Sequence, residues 1–280
     1  MYNRGRPIPD KKLEVKKHEY TKDVIGLDQK DVNQEYGETF RDWIENTTLN
    51  TVKGLNNFPV QEFSMGTTES FDKFYVRHKT RQVKILKGEY SYHSFATNVE
   101  FIEDSPLTSN DCVIISLPFA DSGMEWKYHE TMKQCSKLRI PVLVDCCWFG
   151  TCAGVTLDFT YPCIEDVVFA LSKTFPVNKL RIGCRFSKGN KDGLQIYSEH
   201  GYLNFTSMQI GLKFIQNYQS DYIWHMYNKH QTQFCKENKV IPSAVVSIAL
   251  GTDEKWSYLN RGGPFNRLCI ADELAKYKYC

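Results

Sequence analysis

The 280-residue sequence predicts an α/β protein with a mostly parallel sheet in a large domain and a reduced C-terminal small domain. Three observations predict it. Apolar runs of strand length at 112–116, 140–144 and 167–171 carry apolar residues on both faces, as strands covered by helices on both sides must. Stretches of helical periodicity separate them. Polar residues gather where the runs end: Asp145 closes the second, and Ser172-Lys173 follows the third. In such sheets ligands bind beyond the carboxyl ends of the strands. The chain divides into an N-terminal arm (1–45), a large domain (46–188), and a long helix with the reduced small domain (189–280).

Along the chain, the first 45 residues are polar and lysine-rich, with one helix expected at 37–46 and the rest an arm. Such an arm is mobile or packs on a second subunit. From Phe63 the α/β pattern begins. Gly66-Thr67-Thr68-Glu69 opens a helix over 70–78, with Phe71, Phe74 and Tyr75 on one face. Strands follow at 83–86 and 112–116. A helix is expected over 124–138, then strands at 140–144, 167–171 and 180–186. A single long aromatic-rich helix is expected over 206–236, with Thr206 or Ser207 as its N-cap. Strands at 245–250 and 265–271 complete the chain.

Composition narrows the function classes. A net charge of +2 asks for neither nucleic acid nor an anionic membrane. No run approaches the roughly 20 apolar residues that cross a bilayer. The N-terminus lacks the apolar core of a secretory signal. The ten cysteines have no C-x-x-C zinc spacing, so no metal site is expected, and most lie in apolar segments, as reduced buried thiols do. A cytoplasmic protein is the expectation.

Taken singly, the polar residues at the strand ends have ordinary readings. Lys173 is a surface lysine, Asp145 a turn residue, Gly66-Thr67-Thr68 a helix start, Arg181 a surface charge, and Tyr90 an alternating strand residue. Together they form an ordered set. Gly66-Thr67-Thr68 comes first, then Gly88-Glu89-Tyr90-Ser91-Tyr92-His93, Asp145, Ala170-Leu171-Ser172-Lys173-Thr174-Phe175, and Leu180-Arg181-Ile182-Gly183. The last two stretches resemble the lysine motif of class I/II aminotransferases, which are pyridoxal-5′-phosphate (PLP) enzymes of fold type I. The resemblance covers 63–186.

The resemblance implies an enzyme that moves an amino group between an amino acid and a keto acid. Lys173 would form a Schiff base with PLP and carry the proton. Asp145 would pair with the pyridine nitrogen and keep the ring electron-poor. Gly66, Thr67, Thr68, Ser172 and Arg181 would hold the phosphate, using backbone N–H groups at a helix start and a cation. Tyr90 would stack on the ring. Phe265-Asn266-Arg267-Leu268 resembles the segment whose arginine grips the substrate carboxylate, which makes Arg267 the substrate-binding residue. The family also implies a homodimer.

The chain departs from the family pattern at the cofactor's phenolic oxygen. Ala120 stands where the family has an asparagine, and Trp148, three residues after Asp145, where it has a tyrosine. Trp148 is still placed among the cofactor-contacting residues. Ala170 replaces a phosphate-binding serine. Loss of two donors to one oxygen predicts a raised pKa for the lysine–cofactor imine. Other PLP chemistry (decarboxylation, elimination, racemisation) and a degenerate scaffold without turnover are the alternatives.

Overall fold

The computed structural model describes residues 2–25 and 32–277. Residue 1 and 26–31 of the predicted arm, and 278–280 of the predicted C-terminal segment, lie outside the described residues.

The N-terminal segment is more ordered than its polarity suggests. Helix α1 spans Lys11–Val24, and the Asp10 carboxylate caps it by accepting from the backbone N–H of Lys12 (2.9 Å) and Leu13 (3.4 Å). Leu13, Tyr20 and Val24 lie seven and eleven residues apart, one stripe of a helix. Leu13 and Val24 are buried, and the Tyr20 ring meets Phe214 edge-on at 5.2 Å. Helix α2 (Asn33–Glu45) begins four residues before its expected start and buries Tyr36, Phe40, Trp43 and Ile44 along one face.

The remaining elements follow the α/β alternation. They are β1 (Thr51–Lys53), β2 (Val60–Ser64), α3 (Gly66–Arg77), β3 (Gln82–Ile85), α4 (Tyr92–Ala96), β4 (Val99–Phe101), β5 (Asp111–Ser116), α5 (Tyr128–Leu138) and β6 (Val142–Asp145). Then come β7 (Thr156–Asp158), β8 (Ile164–Ala170), β9 (Gly183–Ser187), α6 (Gly193–His200), α7 (Phe205–Asn217) and α8 (Tyr222–Asn238). A small sheet of β10 (Ile241–Pro242), β11 (Ile248–Gly251) and β12 (Asn266–Cys269) precedes α9 (Ala271–Tyr277).

Seven strands form the main sheet in the order β2-β9-β8-β6-β5-β3-β4. Every pairing from β8 through β6, β5 and β3 to β4 is parallel, and β9 alone in this sheet runs against its neighbours. Strands β5 and β6 are buried along their whole length, as their apolar sequences require. The fold is thus the mostly parallel α/β sheet expected. No helix among the described residues is long and apolar enough to cross a membrane.

Several elements differ from their expected form. The expected strand at 180–186 starts at Gly183 and is the antiparallel one; Gly183 fits between Ser64 and Ala170, and a Cβ there would lie 2.8 Å from the Phe169 carbonyl. The helix expected from 124 starts at Tyr128, because Lys127 takes a left-handed φ of 52°. The long helix expected over 206–236 is two helices. Tyr218 is extended, and the side chain of Asp221, just before the second helix, accepts from Thr47 Oγ1 (2.6 Å) and from the N–H of Thr48 (2.6 Å) and Leu49 (3.2 Å). The N-cap of the first is Asn204, which accepts from Ser207 N at 3.0 Å, rather than Thr206 or Ser207.

Candidate active site

The sheet's direction assembles the site. Strands β2, β3, β5, β6 and β8 point their carboxyl ends to one edge, and the loops leaving them carry Thr67, Tyr90, Ala120, Asp145 and Lys173. Because β9 runs the other way, the residue that enters this edge from it is the one before the strand, Arg181. These side chains line one cleft of about 400 Å³ together with Asn3, Arg4, Gly5, Thr68, Ser91, Cys147, Trp148, Ser172, Arg261 and Arg267.

One end of the cleft is built for an anion. Helix α3 opens directly from β2, so its first N–H groups have no helical partner. Gly66 has φ +71°, and a Cβ there would lie 2.5 Å from the Arg181 guanidinium. Only glycine allows that approach. Arg181 Nη2 donates to Thr68 Oγ1 at 3.0 Å, which ties the cation to the helix start. Thr67 and Ser172 are nearly buried beside it.

At the floor, Asp145 is 1 % exposed and accepts from the Cys147 N–H at 3.1 Å. Burial pushes its carboxyl up to about 7, and the nearby Glu89 charge adds to this, while Cys147 and the Lys173 charge pull the other way. Glu89 is itself buried. It accepts from the backbone N–H and hydroxyl of Ser116, both at 2.6 Å, and from Tyr90 N at 3.0 Å, yet burial still holds it above the ordinary carboxylate range. The Tyr90 ring is half-exposed and stacks on Tyr92, with centroids 6.0 Å apart.

The Lys173 ammonium sits 5.3 Å from the centre of the Trp148 ring and donates to the Gly5 carbonyl at 2.5 Å. Arg267, on β12, donates to the Ala120 carbonyl (2.7 Å) and the Asn3 carbonyl (3.3 Å). Arg261 donates to the Glu89 carbonyl at 2.7 Å. The Tyr2 carbonyl accepts from Cys269 N at 2.8 Å, so the N-terminal residues lie along β12 and across the cleft. A Cβ on Gly5 would collide with the Trp148 indole at 2.5 Å.

Nine of the ten residues expected from sequence thus line one cleft, and Gly66 packs on Arg181 at its edge. Arg261 and Asn3–Gly5 were not expected there, nor was the buried Glu89 behind the lining. Arg261 lies in a short Gly-rich stretch with no motif of its own, and Asn3–Gly5 carry no signal beyond polarity. Glu89 is one residue from Tyr90 in the Gly88–His93 stretch.

The residues fit PLP at three of its four groups. A lysine is available to the aldehyde, a buried carboxylate to the ring nitrogen, and the Arg181–Thr68 pair could cradle the phosphate. They fit less well at the phenolic oxygen, where Ala120 and Trp148 offer neither a carboxamide nor a phenol.

No protein-family model and no curated protein sequence matches the chain. Solved structures do. Histidinol-phosphate aminotransferase from Clostridium acetobutylicum matches over 99 % of this chain and 96 % of its own, at 14 % identity and TM-score 0.66. An aromatic aminotransferase from Pyrococcus horikoshii matches over 98 % and 92 %, at 14 % identity and TM-score 0.68. A PLP-bound C–S lyase from Staphylococcus hominis matches over 99 % and 89 %, at 12 % identity and TM-score 0.70. At these identities the likeness is one of architecture, and by it the chain has the α/β fold of the fold-type-I aminotransferases and the C–S lyase.

Proposed function

We propose that the chain is a PLP-dependent aminotransferase acting on an amino acid and a keto acid. One observation carries the reading: Lys173, the buried Asp145 and the Arg181–Thr68 pair converge on one cleft at the carboxyl edge of the sheet. The solved structures that share the fold add support, since most of those named are aminotransferases.

When bound, PLP supplies an electron sink for a bond broken at the substrate's α-carbon. The chain's own groups do the rest. Thr67, Thr68, Ser172 and Arg181 would hold the phosphate, with the N–H groups at the start of α3 as further donors. Asp145 would pair with the pyridine nitrogen, in a site dry enough to keep that pair strong. Lys173 Nζ would hold the cofactor aldehyde and, when free, act as the base for the proton on the substrate α-carbon. Arg267 would orient the substrate carboxylate, Tyr90 would pack against the ring, and Trp148 would shield the lysine from water.

A lyase is the second reading. It is favoured by the C–S lyase among the similar folds and by the loss of both usual partners of the phenolic oxygen. A homodimer in the cytoplasm completes the proposal. The nine cysteines among the described residues are all free, which suits a reducing compartment.

The test is the visible spectrum of the purified protein with PLP, before and after borohydride, beside Lys173→Ala. A visible band that borohydride abolishes in the wild type, absent from the variant, supports the reading; no band at saturating PLP overturns it. Amino-group transfer to an added keto acid, forming a new amino acid, separates transamination from lyase chemistry, which releases ammonia without one.

A further inference from the structure

The cleft holds more positive charge than the proposed cofactor and an α-carboxylate use. Five of its lining side chains are cationic (Arg4, Lys173, Arg181, Arg261 and Arg267), against one carboxylate, Asp145. On the function proposed above, Lys173 is taken up by the cofactor aldehyde, Arg181 meets the phosphate, Asp145 meets the ring nitrogen, and Arg267 meets the α-carboxylate. Arg261 is left over, and unlike the exposed Arg4 it is half-buried.

Its hydrogen bonding is incomplete as well. Among the described residues, Arg261 Nη1 and Arg267 Nε are both buried without a hydrogen-bond partner. A buried guanidinium nitrogen without an acceptor is costly, so such a group marks a place where a ligand completes the set. Asp121 lies near both arginines, but its two carboxylate oxygens form no hydrogen bond among the described residues. Asp121, and for Arg261 the buried Glu89 carboxylate as well, offset this charge only at a distance. Both arginines also line a second cavity of about 200 Å³, shared with Asn3, Tyr258, Leu259 and Asn260. Room for a longer ligand therefore adjoins the main cleft on the side of these two residues.

We propose that Arg261 binds a second anionic group of the substrate, so that the substrate is an amino acid whose side chain ends in a carboxylate or a phosphate. Arg267 takes the α-carboxylate, and Arg261 takes the distal anion with the fork that a planar guanidinium offers to such oxygens. This rests on the PLP reading, and the experiment keeps the two apart.

The PLP-loaded protein is titrated by calorimetry with butyrate, succinate, glutarate and 3-phosphonopropionate. The expected result is that at least one dianion binds about tenfold or more tightly than butyrate, as a charge-assisted pair in a sheltered site provides. The carboxylate and phosphonate arms tell which anion is preferred. Arg261→Gln is expected to erase the dianion advantage and leave butyrate binding in place, with Arg261→Lys intermediate. Arg267→Gln is expected to weaken all four ligands together. PLP uptake, read from the visible band, checks that each variant has its site. Wild-type protein that binds dianions no better than butyrate overturns the inference alone, as does a dianion advantage that survives Arg261→Gln. Failure of the wild type to take up PLP overturns both the function and this inference.

Discussion

Asp145 is held in a state that suits a ligand rather than the empty protein. Its carboxyl rises from an ordinary 3.8 to about 7, first through burial and then through Glu89. A group whose folded pKa is raised stabilises the fold fully below its unfolded pKa, and this contribution is lost as pH climbs through the folded value. The PLP-free protein should therefore lose stability between about pH 4 and pH 7 as Asp145 ionises. Asp121, raised to about 6 by burial, adds to the same slope in the lower part of that window. Asp145→Asn removes this term. Urea unfolding of the PLP-free protein is expected to show the variant gaining a few kcal/mol on the wild type between pH 4 and pH 8; parallel curves would refute the assignment. The residues of the cleft were legible where they closed an apolar run, as Asp145 and Lys173 do. Glu89 and Arg261 were not, because their environment comes from packing between segments far apart in sequence.

The strands and helices follow the same division. Apolar runs without alternation marked β5, β6 and β8, and α2 was expected, four residues late, at 37–46. What periodicity could not convey was direction. Strand β9 reads like its parallel neighbours but runs against them, and that reversal brings Arg181 to the anion end of the cleft. Its burial comes with a charged centre. Arg185, fully buried in β9, pairs through two nitrogens with Glu62 (2.7 and 2.9 Å) and with Asp192 (2.6 and 2.8 Å). Arg77 joins the group through Asp166 and through Asp192 at 2.9 Å. Burial outweighs Arg185 in holding Glu62 above the ordinary carboxylate range. Arg185→Ala would strand buried carboxylates and is expected to cost about 3–5 kcal/mol in urea unfolding. The double change Glu62→Leu with Arg185→Met should cost less than the single one, since it removes both partners. A double variant weaker than Arg185→Ala would show that β9 needs the ion pair itself. The break between α7 and α8 was likewise hidden, because helical periodicity continues through it while the Asp221 side chain bonds to the loop after α2.

Across the whole molecule, the N-terminal segment is the part that sequence described least well. Its polarity suggested an arm, mobile or packed on a second subunit, yet Leu13 and Val24 seat α1 on the body of its own chain, and Tyr2–Gly5 run along β12 to the cleft. There two of its backbone carbonyls, Gly5 and Asn3, accept from Lys173 and Arg267, the two groups proposed to hold cofactor and substrate. Binding at these two groups is therefore an exchange of acceptors. A tethered competitor is present at an effective concentration that no dilution lowers. If Lys173 and Arg267 hold cofactor and substrate, the apparent affinity for PLP is reduced by the share of time the segment stays in place. Removing residues 2–5 should let the protein take up PLP at lower concentrations, read from the visible band in a titration. Unchanged half-saturation would mean that the segment only lies beside the site. On this arrangement the first residues of the chain set the threshold at which the interior becomes available.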